Sequence, residues 1–132
     1  MAASAVLADS SYYIHLMRAG KDPVRSLALA AATRDLAICP IVRCEVGRGL
    51  RAPNARQRFQ AAWDVMVNVP TDNYIWEEVE RTAWELDRKG RTLPLTDIAI
   101  ACCAMRIDAV VLTFDSHFAQ IPGLRVTHQL DF

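Results

Sequence analysis

Four acidic side chains occupy positions in this sequence where carboxylates could carry out chemistry. Asp9 directly follows the apolar run VLA, and Asp115 closes the apolar stretch VVLTFD. Asp97 stands at the start of a predicted helix, and Glu45 lies about a turn and a half into the helix after the second apolar run. A cluster of carboxylates binds hard cations such as Mg²⁺ or Mn²⁺, which hold substrate phosphates and lower the pKa of a bound water. The four acids therefore predict a site for phosphodiester hydrolysis, provided that the fold brings them together.

Each of these acids also has a structural alternative. Asp9 and Asp97 could be helix N-caps, Asp115 could be a turn former in FDSH, and Glu45 could be an ordinary exposed helix residue among arginines. Four carboxylates within a few ångströms, however, raise one another's pKa values or reduce stability. A divalent cation removes that cost, so a shared cluster favours a metal site.

The elements that must position these acids alternate between short apolar strands and helices. Strands are predicted at 6–8, 36–39, 67–70, 110–115 and 125–128. Helices are predicted to start at Ser10 or Ser11, at Asp22–Pro23, at Pro40, near 54, near 71, and at Thr96 or Asp97, with Gly20 closing the first and Gly90 the fifth. This alternation predicts a three-layer α/β/α sandwich with a mainly parallel sheet of four to five strands. Ligands bind beyond the carboxyl ends of such strands, so all four acids are expected to converge on that edge.

Composition predicts one domain that spans residues 1–132. The chain is 52% hydrophobic, yet it has no apolar stretch of membrane-spanning length and no secretory signal at its start. Its four cysteines form no C-x-x-C pair and its histidines do not cluster near them, which argues against zinc. Adjacent Cys102 and Cys103 lie in an apolar helical run, so we expect them to be reduced thiols that pack in the core. Reduced cysteines predict a cytoplasmic protein.

Charge is balanced overall but uneven along the chain. With 15 basic and 15 acidic residues the net charge is zero, so bulk electrostatics do not draw the protein to nucleic acid. Residues 43–58 are rich in arginine and contain Glu45 as their single acid. This segment is either a solvated helix face or a basic strip for flanking phosphates, with Arg43, Arg48 and Arg51 as candidate RNA-binding residues.

The stretches that carry the four acids resemble PIN domains, and more closely the VapC-type ribonucleases of VapB–VapC pairs. VLADSSYYIHL resembles the opening strand and acid of that family, and CPIVRCEVGRGL resembles its second motif. The most specific stretch is LPLTDIAIACCAMRIDAVVLTFDSHFAQIPGLRV, with an acid after LT, a T-x-D step and an HF…IPGL ending. The resemblance covers nearly the whole chain in the family's order.

Carried over onto matching positions, the resemblance implies an acidic quartet of Asp9, Glu45, Asp97 and Asp115 that binds one or two Mg²⁺ or Mn²⁺ ions. It implies direct ligation by Asp9 and Asp97. Asp115 and Glu45 would act directly or through metal-bound water. None of the four acidic positions departs from the family pattern.

Two hydroxyl residues belong to the same carry-over. Thr113, in the T-x-D step, would orient a carboxylate or a water next to the metal. Ser10 is a candidate for a similar supporting role, with helix capping as its structural alternative.

The resemblance further implies an endoribonuclease that is the toxin of a type II toxin–antitoxin pair. Such an enzyme would cleave RNA, arrest translation and be inhibited by a cognate VapB-type antitoxin. It would form a homodimer and would not require a membrane. Tyr12, Tyr13, Trp76 and Trp84 would offer aromatic surface for these partners or pack within the protein.

Other functional classes remain as alternatives. A PIN-like module that binds RNA or a partner without cutting would share the same sequence features. A receiver-type phosphoacceptor domain would need an early acid pair, an acceptor Asp after the third strand and a late Lys; ADSS has one acid, VNVP has none, and the lysines are Lys21 and Lys89. A haloacid-dehalogenase phosphatase would need an acid where Ser11 stands.

Overall fold

The computed structural model describes residues 5–130. Its elements in chain order are β1 Val6–Ala8, α1 Ser10–Arg18, α2 Pro23–Ala30, β2 Leu36–Ile38, α3 Pro40–Gly47, α4 Pro53–Asp64, β3 Val67–Asn68, α5 Asn73–Arg88, α6 Leu95–Arg106, β4 Val110–Leu112 and β5 Val126–Thr127. A short 3₁₀ turn, Ser116–Gln120, follows β4. The predicted alternation of strands and helices is thus confirmed, and each strand lies where the sequence placed it.

The strands form one parallel sheet in the order β3-β2-β1-β4-β5. Leu7 of β1 pairs with Ala37 of β2 on one side and with Val111 of β4 on the other. The chain therefore moves outward from β1 in one direction and later returns to its opposite side. This reversal opens a crevice beyond the carboxyl end of β1, where parallel sheets hold ligands. The α/β class predicted from the sequence is confirmed.

The inner strands are buried on both faces. Every residue of β1, β2 and β4 is buried, as expected when helices cover both sides of a parallel sheet. The edge strand β3 is exposed, and it has only two residues. An edge strand this short offers few backbone groups for pairing with another chain. The apolar core of the sheet therefore lies in the three inner strands.

Residues at the helix ends explain several of the helix boundaries. Asp22 accepts hydrogen bonds from the backbone N–H groups of Val24 and Arg25, and Pro23 fills the first turn of α2. Gly20 and Gly90 follow α1 and α5 with φ angles of +73° and +75°, a left-handed conformation that favours glycine. These starts and stops agree with the sequence prediction.

The last helix begins earlier than predicted. Neither Thr96 nor Asp97 starts it, because α6 begins at Leu95 directly after Pro94. The first helical hydrogen bond runs from the Ile98 N–H to the Pro94 carbonyl, which needs no donor from the proline itself. Asp97 therefore lies inside the first turn and makes no side-chain cap, so its N-cap alternative is wrong. Its carboxylate still benefits from the positive end of the helix dipole.

Burial separates the residues that serve the core from those left at the surface. The cysteines are free thiols, and three of them, including Cys102 and Cys103, are buried. Tyr12 and Tyr13 are buried, whereas Trp76 and Trp84 are exposed. Within residues 5–130 no helix has both the length and the apolar character needed to cross a membrane.

Candidate active site

An open pocket of about 400 Å³ lies at the carboxyl edge of the sheet. All four acids singled out from the sequence line it: Asp9, Glu45, Asp97 and Asp115. They come from the end of β1, from α3, from the first turn of α6 and from the segment after β4. Residues up to 106 positions apart in sequence therefore share one surface depression.

Asp9 is the most buried of these acids, with 2% of its surface exposed. Its Oδ1 atom accepts hydrogen bonds from Ser11 Oγ at 2.7 Å and from the Tyr12 N–H at 3.3 Å. Burial raises the pKa of Asp9 to about 6, although hydrogen bonds from Ser11, Thr113 and the backbone partly offset that rise. The N-cap role and the pocket-lining position thus belong to the same side chain.

Asp97 and Asp115 meet across a histidine. His117 Nδ1 lies 2.8 Å from Asp97 Oδ2 and 3.2 Å from Asp115 Oδ1. Ligand atoms of the three residues all lie within 4.8 Å of one another. Burial raises the pKa of Asp97, and the nearby Asp115 charge raises it further, while the hydrogen bond from His117 lowers it. That hydrogen bond, with the charges of both carboxylates, raises the pKa of His117.

Glu45 is held at the pocket by a hydrogen bond from another helix. Ser10 Oγ, at the start of α1, donates to Glu45 Oε1 at 2.9 Å. The side chain is half-buried, unlike the ordinary exposed helix residue of the structural alternative. Ser10 thereby contacts a pocket carboxylate directly, which is compatible with its predicted supporting role. Its capping alternative is wrong, because the N-cap of α1 is Asp9 and Ser10 is the first residue of the helix.

Thr113 and Ser11 tie the ends of β1 and β4 together. Thr113 is fully buried, and its Oγ1 atom accepts a hydrogen bond from the Asp115 N–H at 2.9 Å. The hydroxyls of Ser11 and Thr113 lie 3.1 Å apart, and Ser11 Oγ also accepts from the Phe114 N–H at 3.0 Å. This network fixes the backbone between two of the acids.

The three candidate RNA-binding arginines do not line the acidic pocket. Arg43 and Arg48 line a neighbouring pocket of about 320 Å³, and Arg51 is exposed between α3 and α4. The Arg43 guanidinium contacts Asp64 at 3.0 Å and lies 5.4 Å from the Trp63 ring centroid. Its charge is therefore already paired.

Sequence reasoning missed several residues of the pocket region. These include His117, beside Asp97 and Asp115, and the lining residues Ser11, Ile14, His15, Arg18 and Phe114. His117 follows Asp115 by two positions in DSHF, and this short spacing to a predicted metal-binding acid is the signal that identifies it. Ser11 and Arg18 lie on one face of α1 together with His15, because positions separated by three, four and seven residues share a helix face. That spacing was the signal that could have identified the α1 side of the pocket.

The donor set fits a divalent cation. Ligand atoms of Asp97, Asp115 and His117 lie within 4.8 Å of one another, and buried Asp9 carries a charge penalty that a cation would offset. Oxygen donors with one imidazole suit Mg²⁺ or Mn²⁺, and imidazole nitrogen favours Mn²⁺ of the two. With waters completing its coordination, such an ion can position a phosphate and activate a water.

Comparison with known proteins places this arrangement in a family. The sequence matches the PIN domain family over residues 6–124. No match was found among curated proteins.

Solved structures share the fold at low sequence identity. VapBC2 from Rickettsia felis, bound to a DNA fragment from its promoter, has a chain that matches with a TM-score of 0.76, 19% identity and coverage of 93% of this chain and 97% of that chain. DNA-bound VapBC from Salmonella typhimurium matches with a TM-score of 0.75 and 21% identity, over 95% of this chain and 98% of that chain. A toxin–antitoxin complex from Klebsiella pneumoniae matches with a TM-score of 0.72 and 24% identity, over 96% of this chain and 99% of that chain.

Proposed function

This chain belongs to the PIN-domain family, and on that premise we propose that it is a Mg²⁺- or Mn²⁺-dependent endoribonuclease. Members of this family are nucleases, which supports hydrolysis of a phosphodiester bond. The proposal rests on one observation: ligand atoms of Asp97, Asp115 and His117 lie within 4.8 Å of one another. Asp97 and Asp115 line a pocket together with Asp9 and Glu45. Carboxylates gathered in this way need a cation to be stable when ionised.

The proposed roles follow from the contacts of each side chain. Asp9, Asp97 and Asp115 would hold the metal, and Glu45 would hold it directly or through a water. Ser10 would keep Glu45 turned towards the pocket through its 2.9 Å hydrogen bond. Thr113 and Ser11 would fix the Asp9 and Asp115 segments, since their hydroxyls link both.

When bound, a divalent cation polarises a phosphoryl oxygen and lowers the pKa of a water so that it can attack phosphorus. The half-open pocket leaves room for a phosphate beside the acids. Arg18, which lines the same pocket, would supply positive charge for a neighbouring phosphate of the RNA strand.

We further propose that the enzyme is the toxin of a type II toxin–antitoxin pair. The solved structures that share its fold include complexes named VapBC and a toxin–antitoxin complex. On this proposal a VapB-type antitoxin inhibits the enzyme, and the enzyme forms a homodimer. Growth arrest on expression, relieved by expression of the neighbouring gene, would support this assignment.

Cleavage assays test the nuclease proposal directly. The purified protein is incubated with a panel of structured RNAs, and with DNA of matching sequence, in EDTA, Mg²⁺ or Mn²⁺. We expect cleavage of RNA only with a divalent metal, and a loss of at least about 100-fold in Asp97→Asn, because catalytic metal sites contribute rate factors of that order or more.

Asp87→Asn is the matched control for this substitution. Asp87 is an exposed acid on α5 whose side chain accepts a hydrogen bond from Thr92, and an amide oxygen can accept the same bond. Cleavage that survives Asp97→Asn, or that never appears with either metal, would contradict the proposal. Binding of RNA without cleavage would instead favour a non-catalytic PIN-like module.

A further inference from the structure

Phe114 is a large apolar side chain that the fold leaves at the surface beside the acids. It stands between Thr113 and Asp115 and lines the acidic pocket, yet 42% of its surface is exposed. Its neighbours Thr113 and Leu112 are fully buried. Phe114 is not isolated, because the ring of His15 lies beside it in the same pocket. A pair of exposed aromatic rings at the rim of a polar pocket offers a surface on which a planar ligand can stack.

The ring of Phe114 packs against two aromatic side chains of α1 and is otherwise partly exposed. Its centroid lies 4.3 Å from that of His15, with the two planes inclined by 36°. The ring of Tyr12 lies nearly parallel to it at 5.8 Å. His15 is itself exposed and lines the same pocket, so the His15–Phe114 pair presents an aromatic surface to solvent.

Hydrogen bonds fix the backbone on both sides of Phe114. The Phe114 N–H donates to Ser11 Oγ at 3.0 Å, and the flanking Asp115 N–H donates to Thr113 Oγ1 at 2.9 Å. The Thr113 N–H donates to the Thr127 carbonyl at 3.0 Å, which extends the β4–β5 ladder. A planar ligand that binds here therefore pays little to order the protein.

Positive charge lies on the same side of α1. Arg18 follows His15 by three positions and lines the pocket. Its guanidinium makes no ion pair or hydrogen bond with another residue between 5 and 130. A free arginine next to an aromatic surface and a metal-binding pocket matches a nucleotide, which has a planar base and a charged phosphate.

We propose that the His15–Phe114 pair is a stacking site for an unpaired base of the RNA next to the cleaved phosphate, with Arg18 holding an adjacent phosphate. This inference rests on the proposed ribonuclease function and deepens it, because it assigns residues to substrate recognition. A base inside a duplex is already stacked on its neighbours and cannot reach the pair. The site therefore selects RNA segments whose bases are unstacked.

Binding of short oligonucleotides tests the stacking site without cleavage. Fluorescence anisotropy in EDTA compares a 12-residue oligoadenylate, a 12-residue abasic ribose–phosphate chain and a 12-base-pair RNA duplex. For the wild type we expect oligoadenylate to bind roughly 5- to 150-fold more tightly than the abasic chain, the range for stacking of one base on an aromatic side chain. The duplex should show no such gain over the abasic chain.

Two substitutions separate the base from the phosphate. Phe114→Leu should remove the preference for oligoadenylate over the abasic chain, while Phe114→Trp should keep it. Arg18→Gln should weaken both chains equally and reduce the salt dependence of binding by about 0.7 in the log–log slope, as expected for one lost phosphate contact in a single strand. Circular dichroism and melting temperature verify that each variant is folded.

Trp84→Leu is the matched control for the aromatic substitution. Trp84 is 60% exposed on α5, lines a different pocket and should leave the preference unchanged. An unchanged preference in Phe114→Leu overturns the inference, as does a loss of antitoxin binding in that variant without any effect on RNA. Metal-dependent cleavage with no base preference would leave the ribonuclease proposal standing. Base-dependent binding without cleavage would leave only the stacking site.

Discussion

His117 Nδ1 lies 2.8 Å from Asp97 Oδ2, joining the 3₁₀ turn after β4 to the first turn of α6. The same nitrogen lies 3.2 Å from Asp115 Oδ1. A single imidazole thus contacts two of the proposed metal-holding carboxylates. It either orients them or joins them as a ligand, and in both cases the geometry of the pair depends on it.

Removal of this imidazole should therefore weaken metal binding. We expect His117→Ala to lower Mn²⁺ affinity by about 10- to 100-fold, the usual effect of removing a partner of a metal ligand. His117→Asn should lose less, because its amide can place a donor near the position of Nδ1. The increase in melting temperature with Mn²⁺ concentration measures the affinity.

His15→Ala is the control for this pair of variants. His15 lines the pocket but has no described contact with the acids, so its loss should leave Mn²⁺ affinity unchanged. Equal affinity in His117→Ala and the wild type would show that His117 neither binds nor positions the metal.

The buried carboxyl of Asp9 should make stability depend on pH. Its pKa is about 6 in the folded protein and close to the usual 3.8 in the unfolded chain, so the folded state holds the proton more tightly. The contribution of Asp9 to the free energy of unfolding of the metal-free protein should therefore fall as pH rises from about 4 to about 6, and then level off. The full penalty above pH 6 is up to about 3 kcal/mol, from 1.36 kcal/mol for each pKa unit.

Asp9→Asn isolates this contribution, because an amide oxygen can still accept the hydrogen bonds from Ser11 and the Tyr12 N–H. We expect urea unfolding in EDTA from pH 4 to 8 to show that the variant's free energy of unfolding increases relative to that of the wild type up to about pH 6. A difference between the two proteins that is constant across this range would contradict the pKa shift. Mn²⁺ should stabilise the wild type more than the variant, because the variant lacks one of the proposed metal-holding carboxylates.

The hydroxyl of Ser11 should tune the charge of Asp9. Ser11 Oγ donates to Asp9 Oδ1 at 2.7 Å, and this bond favours the ionised carboxylate. Ser11→Ala should therefore raise the pKa of Asp9 further and cost about 1–2 kcal/mol of stability, since the Phe114 N–H also loses its acceptor. Carbon-13 NMR of labelled aspartate follows the titration.

Ser116→Ala serves as the comparison for the Ser11 substitution, because Ser116 is an exposed hydroxyl of the same region. It should leave the titration of Asp9 in place. If both serine variants titrate like the wild type, the Ser11 hydroxyl does not govern the carboxyl.

A buried hydrogen bond behind the pocket should contribute stability without affecting the site. Trp63 Nε1 donates to Tyr13 Oη at 3.2 Å, and both side chains are buried. Tyr13→Phe leaves the indole N–H without its acceptor and should cost about 1–3 kcal/mol of unfolding free energy. Chemical denaturation measures this cost, and Mn²⁺ affinity should stay unchanged.

Tyr74→Phe provides the exposed counterpart, since Tyr74 lies at the surface of α5 with 54% of its area accessible. Its effect on stability should be within about 0.5 kcal/mol, as for ordinary surface substitutions. Equal stability of the Tyr13 and Tyr74 variants would indicate that the buried hydrogen bond contributes nothing.

The sequence by itself determined the order of strands and helices and most of their boundaries. Local signals were enough for this, because Asp22, Pro23, Gly20 and Gly90 act within one turn of the helix that they start or end. The predicted start of α6 is wrong, because Thr96 and Asp97 are both good capping residues but Pro94 occupies the N-cap position. Asp9, Asp97 and Asp115 could be placed at one edge because parallel strands end on the same side of a sheet.

Only the tertiary structure decided which side chains touch. Three contacts depend on distances between separate elements: His117 with Asp97, Ser10 with Glu45, and Arg43 with Asp64. The direction and reach of a side chain depend on how helices pack against the sheet, and the printed order of residues does not contain that packing. For the same reason an exposed Phe114 cannot be told from a core phenylalanine until its neighbours are in place.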